Sequence, residues 1–567
     1  MDQCKRIPQL LGQDFSDRCT PDNRKTVYVT PKRVVLSSQA ENPQALLETR
    51  ADQISLAASN PCILSGGDRP AFLVLDYGVE LQGGAALLIW ASKGKERQRI
   101  RLRFGESVAE VMSDIGGPGG ATNDHATRDM VLEVGMMSLS QIGNTGFRFL
   151  RVDLLEGAGC QLVLKSIKAT FTYRDIPYRG SFHCSDALLD RIWNTAAYTL
   201  HLNMQNYIWD GIKRDRLVWI GDMHPEVMGV RTLFGADELV PKSLDFIRDE
   251  TPLPGFMNGF SSYSMWWVVI QRDWYQHTGD YAYLDSQRTY LKGLYQLLAP
   301  CIGPDGQDTT PPVRFVDWPS SDSKEATDAG VQALRIWATR SFREMFEILG
   351  EKELAQQCEK DLALLSSFHP DPRQYKQAAA LMVLNGLAEP EAINASLLSK
   401  GGAAGMSTFM SYYILKARAL AGDIKGSLDA AREYYGAMLS LGATTFWEDF
   451  DMEWMKQAAP IDGPVPEGKV DVHGAYGKYC YKGYRHSLCH GWSCGVVPFL
   501  AEWVLGIRVT EPGCRTVHIA PQLGDLSFAE GTFPTPMGDL WVRHDLQPDG
   551  TVKTQFSAPQ GVTVMVG

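Results

Sequence analysis

No stretch of this chain approaches the roughly 18 uninterrupted apolar residues that a membrane-spanning helix requires, so no spanning segment is predicted. Long basic runs are missing too. With a formal net charge of −11, nucleic acid and anionic membrane surfaces are not expected partners, because phosphate binding needs clustered Lys and Arg. The 11 cysteines are scattered, and their odd number argues against a complete disulfide framework. Their one cluster, with Cys480, His486, Cys489, His490 and Cys494, follows no common zinc spacing, so reduced thiols and no metal are expected. No loop dense in oxygen ligands asks for a cation, and no cofactor is expected. Met1 to Gln13 has a charged start but no apolar core of signal-peptide length. A cytoplasmic location is expected if Met1 is the natural start, and a periplasmic or secreted one if a leader was trimmed.

What is present divides the chain into three. A length of 567 residues suggests two to four domains. Lys25–Thr30, Phe72–Leu75, Leu87–Trp90, Arg99–Phe104, Phe147–Val152 and Gln161–Tyr173 are short, alternating or rich in branched and aromatic residues. Gly- and Asp-containing breaks separate them, as in a β-sandwich. Near Ser185, a candidate helix cap, the period changes. Leu188, Leu189, Ile192, Trp193, Ala196 and Leu200 recur at three and four, and Val331 to Leu349 repeats the pattern with Gly350 placed to end it. Further helices are predicted around Tyr263–His277, Tyr283–Leu298, Leu354–Phe368, Tyr375–Leu387, Thr408–Ala421 and Ser427–Leu441. Paired helices of this number form a closed toroid or an open solenoid, and periodicity alone does not choose between them. After Gly506 alternation returns, with Pro548-Asp-Gly550 as a hairpin turn. The expected plan is an accessory β-sandwich (1–180), with a jelly roll as one form open to it, a helical toroid (181–505) and a small β-sandwich (506–567).

Chemistry concentrates where acids sit beside indoles. Asp210-Gly-Ile-Lys-Arg-Asp-Arg-Leu-Val-Trp-Ile-Gly-Asp222 packs three carboxylates, three cations and a Trp into one inter-helix segment. Ala443-Thr-Thr-Phe-Trp-Glu-Asp-Phe-Asp451 carries another set, and Asp317-Trp318 a third. Aromatic faces stack on pyranose rings and paired carboxyls do acid/base work on glycosidic bonds, so a carbohydrate is the expected partner. The blander alternative for the first segment is a solvated loop held by ion pairs. For Trp266, Trp267, His490 and Trp492 it is core packing or a helix end.

These residues, in their order along the chain, resemble the α-L-rhamnosidases of glycoside hydrolase family 78. Members carry Asp-x-x-x-Arg-x-Glu-Arg-x-x-Trp-x-Gly-Asp and a later Ala-Thr-Thr-x-Trp-Glu, matched here by Asp210–Asp222 and Ala443–Glu448. Phe315-Val-Asp-Trp318, Cys489-His-Gly-Trp492, Leu505-Gly-Ile507 and Pro534-Thr-Pro-Met-Gly538 fit as well, and Phe104–Ser107 and Gly146–Phe149 look like strands of the family's accessory sandwich. The resemblance implies an (α/α)6 barrel as the catalytic domain and hydrolysis with inversion, removing a terminal α-L-rhamnose or similar deoxy sugar. It implies Asp215 as general acid and Glu448 as general base, with Asp210 and Asp222 holding sugar hydroxyls. Trp219, Asp317, Trp318, Trp447, His490 and Trp492 are the remaining substrate-binding candidates, Trp447 as a wall of the sugar pocket.

Two departures stand out. The acid position holds Asp rather than Glu, and the segment is one residue shorter, so Asp210 aligns only across a gap. Either the shortened backbone brings Asp215 closer, the reading preferred here, or Asp222 or Glu226 has taken over. Lys213, Arg214 and Arg216 are expected to turn outward or bind other carboxylates, leaving partial burial against Trp219 and the charges of Asp210 and Asp222 to keep Asp215 protonated. Other readings are a glycosidase or lyase for a different sugar, the lyase kept open by those three cations, and a glycan binder that has lost its acid.

Overall fold

The alternating N-terminal runs form antiparallel strands in a computed structural model that describes residues 20, 22–56, 60–479 and 481–567. Met1 to Gln13 and Cys480 therefore lie outside the described residues. One nine-stranded sheet runs in the order Ala40–Glu41, Cys62–Ser65, Gln161–Arg174, Ala71–Lys93, Ser138–Leu154, Arg97–Gly105, Asp129–Gly135. Arg24–Val29 pairs with Gln161–Arg174, and Arg33–Ser38 with Ala71–Lys93. Phe72–Leu75 and Leu87–Trp90, read from sequence as two strands, belong to a single strand of 23 residues. The Gly-containing stretch between them is a set of register shifts, at Asp76/Leu81 and Gly83/Ala85, which bends the strand without ending it. Gly83 sits at φ 147, where a Cβ would meet the Thr170 carbonyl at 1.8 Å. Leu73, Leu75, Leu87, Ile100, Phe104, Phe147 and Ile167 fill the core that this curvature encloses. Each contributes about 1.5–3 kcal/mol through burial.

The first long helix, Ala187–Asn203, is capped by Asp186, whose carboxylate accepts from the Leu188 and Leu189 amides. Ser185, the expected cap, instead accepts from the Ser527 amide with its hydroxyl. The predicted Tyr283–Leu298 helix divides into Tyr281–Ser286 and Arg288–Leu298. Met223–Leu233, Ser261–Thr278, Lys324–Ile348, Lys376–Leu384, Ser411–Leu420 and Val496–Phe499 touch in that cyclic order, and the last returns to the first. Helices such as Leu239–Asp249, Lys352–Leu365 and Ile424–Ser440 run between them in sequence. The choice between closed ring and open solenoid thus falls to the ring, because Val496–Phe499 packs against Met223–Leu233. One apolar core, from Phe182 to Val542, runs through the helices into the C-terminal strands.

Ile507–Val509, Thr516–Ile519 and Thr563–Val566 form a three-stranded sheet. Phe528–Thr535, Gly538–Leu546 and Val552–Ser557 form a second, whose edge is completed by Ser181–Cys184. Those four residues, placed by the sequence reading at the start of the helical region, belong to the C-terminal sheet. Among the described residues no helix is long and apolar enough to cross a membrane.

The N-terminal sheet docks on the segment that carries the acids. Gly146 donates its amide to the Ile212 carbonyl at 3.0 Å. Lys213 reaches down to Glu106 and Glu110 at 3.0 and 3.2 Å.

Candidate active site

Residues 210–222 form a compact loop between the helices Ala187–Asn203 and Met223–Leu233. Asp210 closes it: its carboxylate accepts from the Leu217 amide at 2.9 Å, and its carbonyl from the Gly491 amide at 2.7 Å. Asp215 and Arg216 both adopt left-handed backbone, φ 52 and φ 60. Two successive non-glycine residues there cost about 1–3 kcal/mol each, which the docked sheet and the Gly491 contact offset. This turn fans the side chains apart. Lys213 goes down into the domain junction, Arg214 into a cavity, Asp215 onto its wall, and Arg216 outward over the Trp209 ring, 4.7 Å from its centroid. At Gly221 a Cβ would meet the Tyr263 ring at 2.2 Å, so the motif glycine lets the loop pass that ring.

The second contributor is the irregular segment Phe446–Phe450, which is hydrogen-bonded to residues 486–490. Glu448 donates its amide to the Ser487 carbonyl, and His490 its amide to the Phe446 carbonyl. Glu448 faces the cavity while Trp447, next to it at the bend, turns back into the core.

The cavity, of about 310 Å³, is lined by the carboxylates of Asp210, Asp215, Asp222 and Glu448 and by a wall of rings that includes Trp219, Tyr263, Trp318 and Trp492. Arg214 ties the two proposed catalytic carboxylates together. It donates from Nη1 to Asp215 Oδ1 at 3.2 Å and from Nη2 to Glu448 Oε1 at 2.5 Å. Two bonds to the ends of one planar guanidinium keep the nearest oxygens no more than about 8 Å apart. Asp215 also accepts from Trp219 Nε1 at 3.0 Å, and Glu448 from the Ser487 amide at 3.0 Å. His490 Nε2 lies 3.6–3.9 Å from Glu448, Asp210 and Asp222.

Burial governs the protonation of this site. It raises Asp210 well above the usual carboxylate range, with the charges of Asp215 and Asp222 adding to it. Asp222 is raised well above that range by burial, against the hydrogen bond it accepts from Tyr263 at 3.0 Å. Glu448 is also raised by burial, but the charge and hydrogen bond of Arg214 and the Ser487 amide pull it back. Burial pushes His490 well below its ordinary value, with Arg214 adding to the effect, so it is a neutral imidazole. Burial thus favours the protonated form at Asp210 and Asp222, and a protonated carboxyl can donate as well as accept, which suits recognition of hydroxyls.

Several expectations need correction. Trp447 does not line the cavity; it is 1 % exposed and packs on Phe450 and His486. Asp317 is also buried away from it. One oxygen accepts from the Ser320 amide and hydroxyl, and the other from Ser407, so it fastens the loop that presents Trp318. Trp266 and Trp267 are core residues, the plainer of the two readings open to them, the first stacked on His224. Glu226, the reserve candidate for the acid, lies fully buried beneath the site against Gly491 and is not part of the cavity lining. Arg214 does not turn away from Asp215: it binds it, and Glu448 too. Lys213 and Arg216 do point elsewhere, as expected.

Other lining residues were missed: His125, Phe260, Tyr263, Tyr481 and Arg485. Phe260 and Tyr263 lie at the start of the helix Ser261–Thr278, where no local pattern marks them as lining. His125 comes from the N-terminal β-domain, 90 positions before Asp215, and no local pattern ties it to the site. Among the described residues one cluster has metal-ligand geometry, Glu106, Glu110 and His473. The Lys213 ammonium already occupies it, 3.3 Å from His473 Nε2.

Residues 177–367 match the family model described as the bacterial α-L-rhamnosidase six-hairpin glycosidase domain, and residues 506–567 that of the bacterial α-L-rhamnosidase C-terminal domain. An α-L-rhamnosidase of Formosa agariphila is 28% identical over 153 residues, 27% of this chain and 16% of that one. Another, from an Alteromonas species, is 32% identical over 111 residues, 19% of this chain and 10% of its own. This chain thus spans a minor part of the length of those curated relatives. Among solved structures, the family 78 rhamnosidase of Bacillus sp. GL1 superposes with a TM-score of 0.74 at 23% identity, over 93% of this chain and 55% of that one. A rhamnosidase from Klebsiella oxytoca with rhamnose bound gives 0.66 at 20% identity, over 84% and 96%. At these identities the likeness is one of fold.

Proposed function

We propose that this chain, α-L-rhamnosidase-like in its six-hairpin glycosidase and C-terminal domains, is a glycoside hydrolase that removes a terminal α-L-rhamnose or similar deoxy sugar with inversion. Its helical ring is read as an (α/α)6 barrel, flanked by an accessory β-sandwich and a C-terminal one. Asp215 is the general acid and Glu448 the general base. One observation carries the assignment: both carboxylates open onto a single cavity of monosaccharide size, on either side of Arg214.

The geometry supports the chemistry as follows. Inverting enzymes hold their two carboxyl groups about 6.5–9.5 Å apart so that a water fits on the far face of the sugar. The limit of about 8 Å set by the Arg214 bridge is compatible with that window. Glu448 must be ionised to take the water's proton, and Arg214 with the Ser487 amide stabilises that ionised form inside a buried site. Asp215 delivers a proton to the departing oxygen, steered by Trp219 Nε1. Asp210, Asp222 and neutral His490 present hydrogen-bonding groups to ring hydroxyls, while aromatic rings cover the apolar faces of the sugar and the methyl of a deoxy sugar.

The test is hydrolysis of p-nitrophenyl α-L-rhamnoside beside other aryl glycosides, with Glu448→Gln as control and the first-formed anomer read by NMR. The expected result is preferred turnover of the rhamnoside, release of β-L-rhamnose, and a fall of about 10²–10⁴ in kcat with little change in KM for the variant. A variant retaining kcat within about tenfold removes Glu448 as base. First release of the α-anomer removes inversion.

A further inference from the structure

Beside the cavity the accessory β-domain carries an open groove of about 650 Å³. Its lining includes Asn123, His125, Thr127, Met130, Asn144 and Arg216. His125 belongs to both spaces, and Arg216 directly follows Asp215. His125 Nε2 lies 3.4 Å from Asp215 Oδ1, so the groove begins where the proposed acid ends. A general acid protonates the leaving oxygen, which places the leaving group on the acid's own side of the bond. His125, beside Asp215, borders both spaces and so joins the acid to the groove.

The lining indicates what leaves. Among the described residues it contains no Phe, Tyr or Trp, the side chains that would cover a flat aromatic group. It offers the Thr127 hydroxyl, the Asn144 amide, the Arg216 guanidinium and the His125 imidazole, with Met130 as a small apolar patch. The groove is also built rather than incidental. Asn123 accepts from the Arg128 and Asp129 amides at 3.1 and 3.0 Å and fixes the loop that presents His125. Asp124 pairs with Arg485 on the wall of the cavity, fastening the same loop to the helical domain. Arg216 donates to the Asn144 carbonyl at 2.8 Å while its guanidinium lies over Trp209.

We propose that this groove is the leaving-group subsite, that it takes a second sugar residue, and that the substrate is accordingly an oligosaccharide rather than a rhamnoside of an aromatic alcohol. This rests on Asp215 being the acid. The β-domain then selects the substrate through His125, a positioning residue between the two spaces.

Thr127 is exposed and outside the catalytic machinery, so Thr127→Trp fills the groove without touching the cavity. kcat/KM is measured for a rhamnosyl disaccharide and for α-L-rhamnosyl fluoride, whose leaving group is too small to reach the groove, with Thr127→Ala as a control. The expected result for Thr127→Trp is a fall of about tenfold or more on the disaccharide, with the fluoride within about twofold. Equal falls on both, or no fall on the disaccharide, overturn the subsite. If the unaltered protein turns over neither substrate, the hydrolase reading fails instead, and the groove is judged by calorimetric binding of the same disaccharide. Affinity weakened by Thr127→Trp upholds it, and unchanged affinity overturns it.

Discussion

Replacing Asp215 with Asn separates proton donation from mere shape. The native carboxylate accepts from two donors, Trp219 Nε1 at 3.0 Å and Arg214 Nη1 at 3.2 Å, and His125 Nε2 lies 3.4 Å away. The amide keeps the outline and one acceptor oxygen but turns an NH₂ toward at least one of those donors. Losing one charge-assisted hydrogen bond costs about 1.5–3 kcal/mol in a buried setting, and less here because Asp215 is partly exposed. Folding should therefore survive, with a loss below about 2 kcal/mol in urea titration. The chemistry should not. Removing a general acid lowers turnover by about 10²–10⁴, or about 2.7–5.4 kcal/mol of barrier. The loss depends on the leaving group: a sugar alkoxide cannot depart unprotonated, whereas p-nitrophenolate needs little help. The variant should thus lose about 10²–10⁴ in kcat/KM on a rhamnosyl disaccharide and less than about tenfold on the p-nitrophenyl glycoside. Equal losses on the two substrates would falsify the assignment of the proton to Asp215, and point to a role in holding Arg214.

Three further outcomes follow from the same contacts. Arg214→Met removes the charge and hydrogen bond that offset burial at Glu448, so the carboxyl rises further; because the base must be ionised, the acidic limb of the pH–rate profile should move to higher pH, and an unmoved limb refutes the role given to Arg214. Lys213→Met leaves Glu106 and Glu110 buried without their ammonium and should destabilise the chain by about 3–5 kcal/mol. Burial already holds Glu106 up at about 7, so the orphaned acids can take up protons in mild acid, and the loss should be smaller at about pH 5 than at about pH 8 by urea denaturation; a pH-independent loss counts against the ion cluster. Asp317→Asn gives up one of the hydrogen bonds that fasten the Trp318 loop; KM should rise while kcat stays within about threefold, and a collapse of kcat alone would restore Asp317 to the chemistry.

Much of the architecture was legible because burial on one face imposes a period on the sequence. The helix Ser261–Thr278 and the strand Gly538–Leu546 followed by its Pro548-Asp-Gly550 turn lie close to where periodicity places them. The failures were local. Ser185 and Asp186 can both cap a helix, and only the pairing of Ser185 with Ser527 decides between them. Glycines in Ala71–Lys93 read as breaks because a bulge and a strand end share the same residue types. At the site, Asp210, Asp215, Asp222 and Glu448 were legible as acids beside indoles. Trp447 and Asp317 were misjudged because adjacency in sequence does not say which way a side chain turns.

By itself the sequence determined the chemical kind of this protein: an acidic chain of β, helical and β segments, with carboxylates and indoles in the order of the α-L-rhamnosidase motifs. These features are local, and composition and period carry them. Tertiary structure decided what depends on distant segments meeting. It closed the helices into a ring, set Glu448 across from Asp215 through Arg214, and brought His125 from a separate domain to the edge of the cavity. Such contacts join residues 90 to more than 230 positions apart. Chain folding in three dimensions places them, and no pattern within a short window of sequence records it.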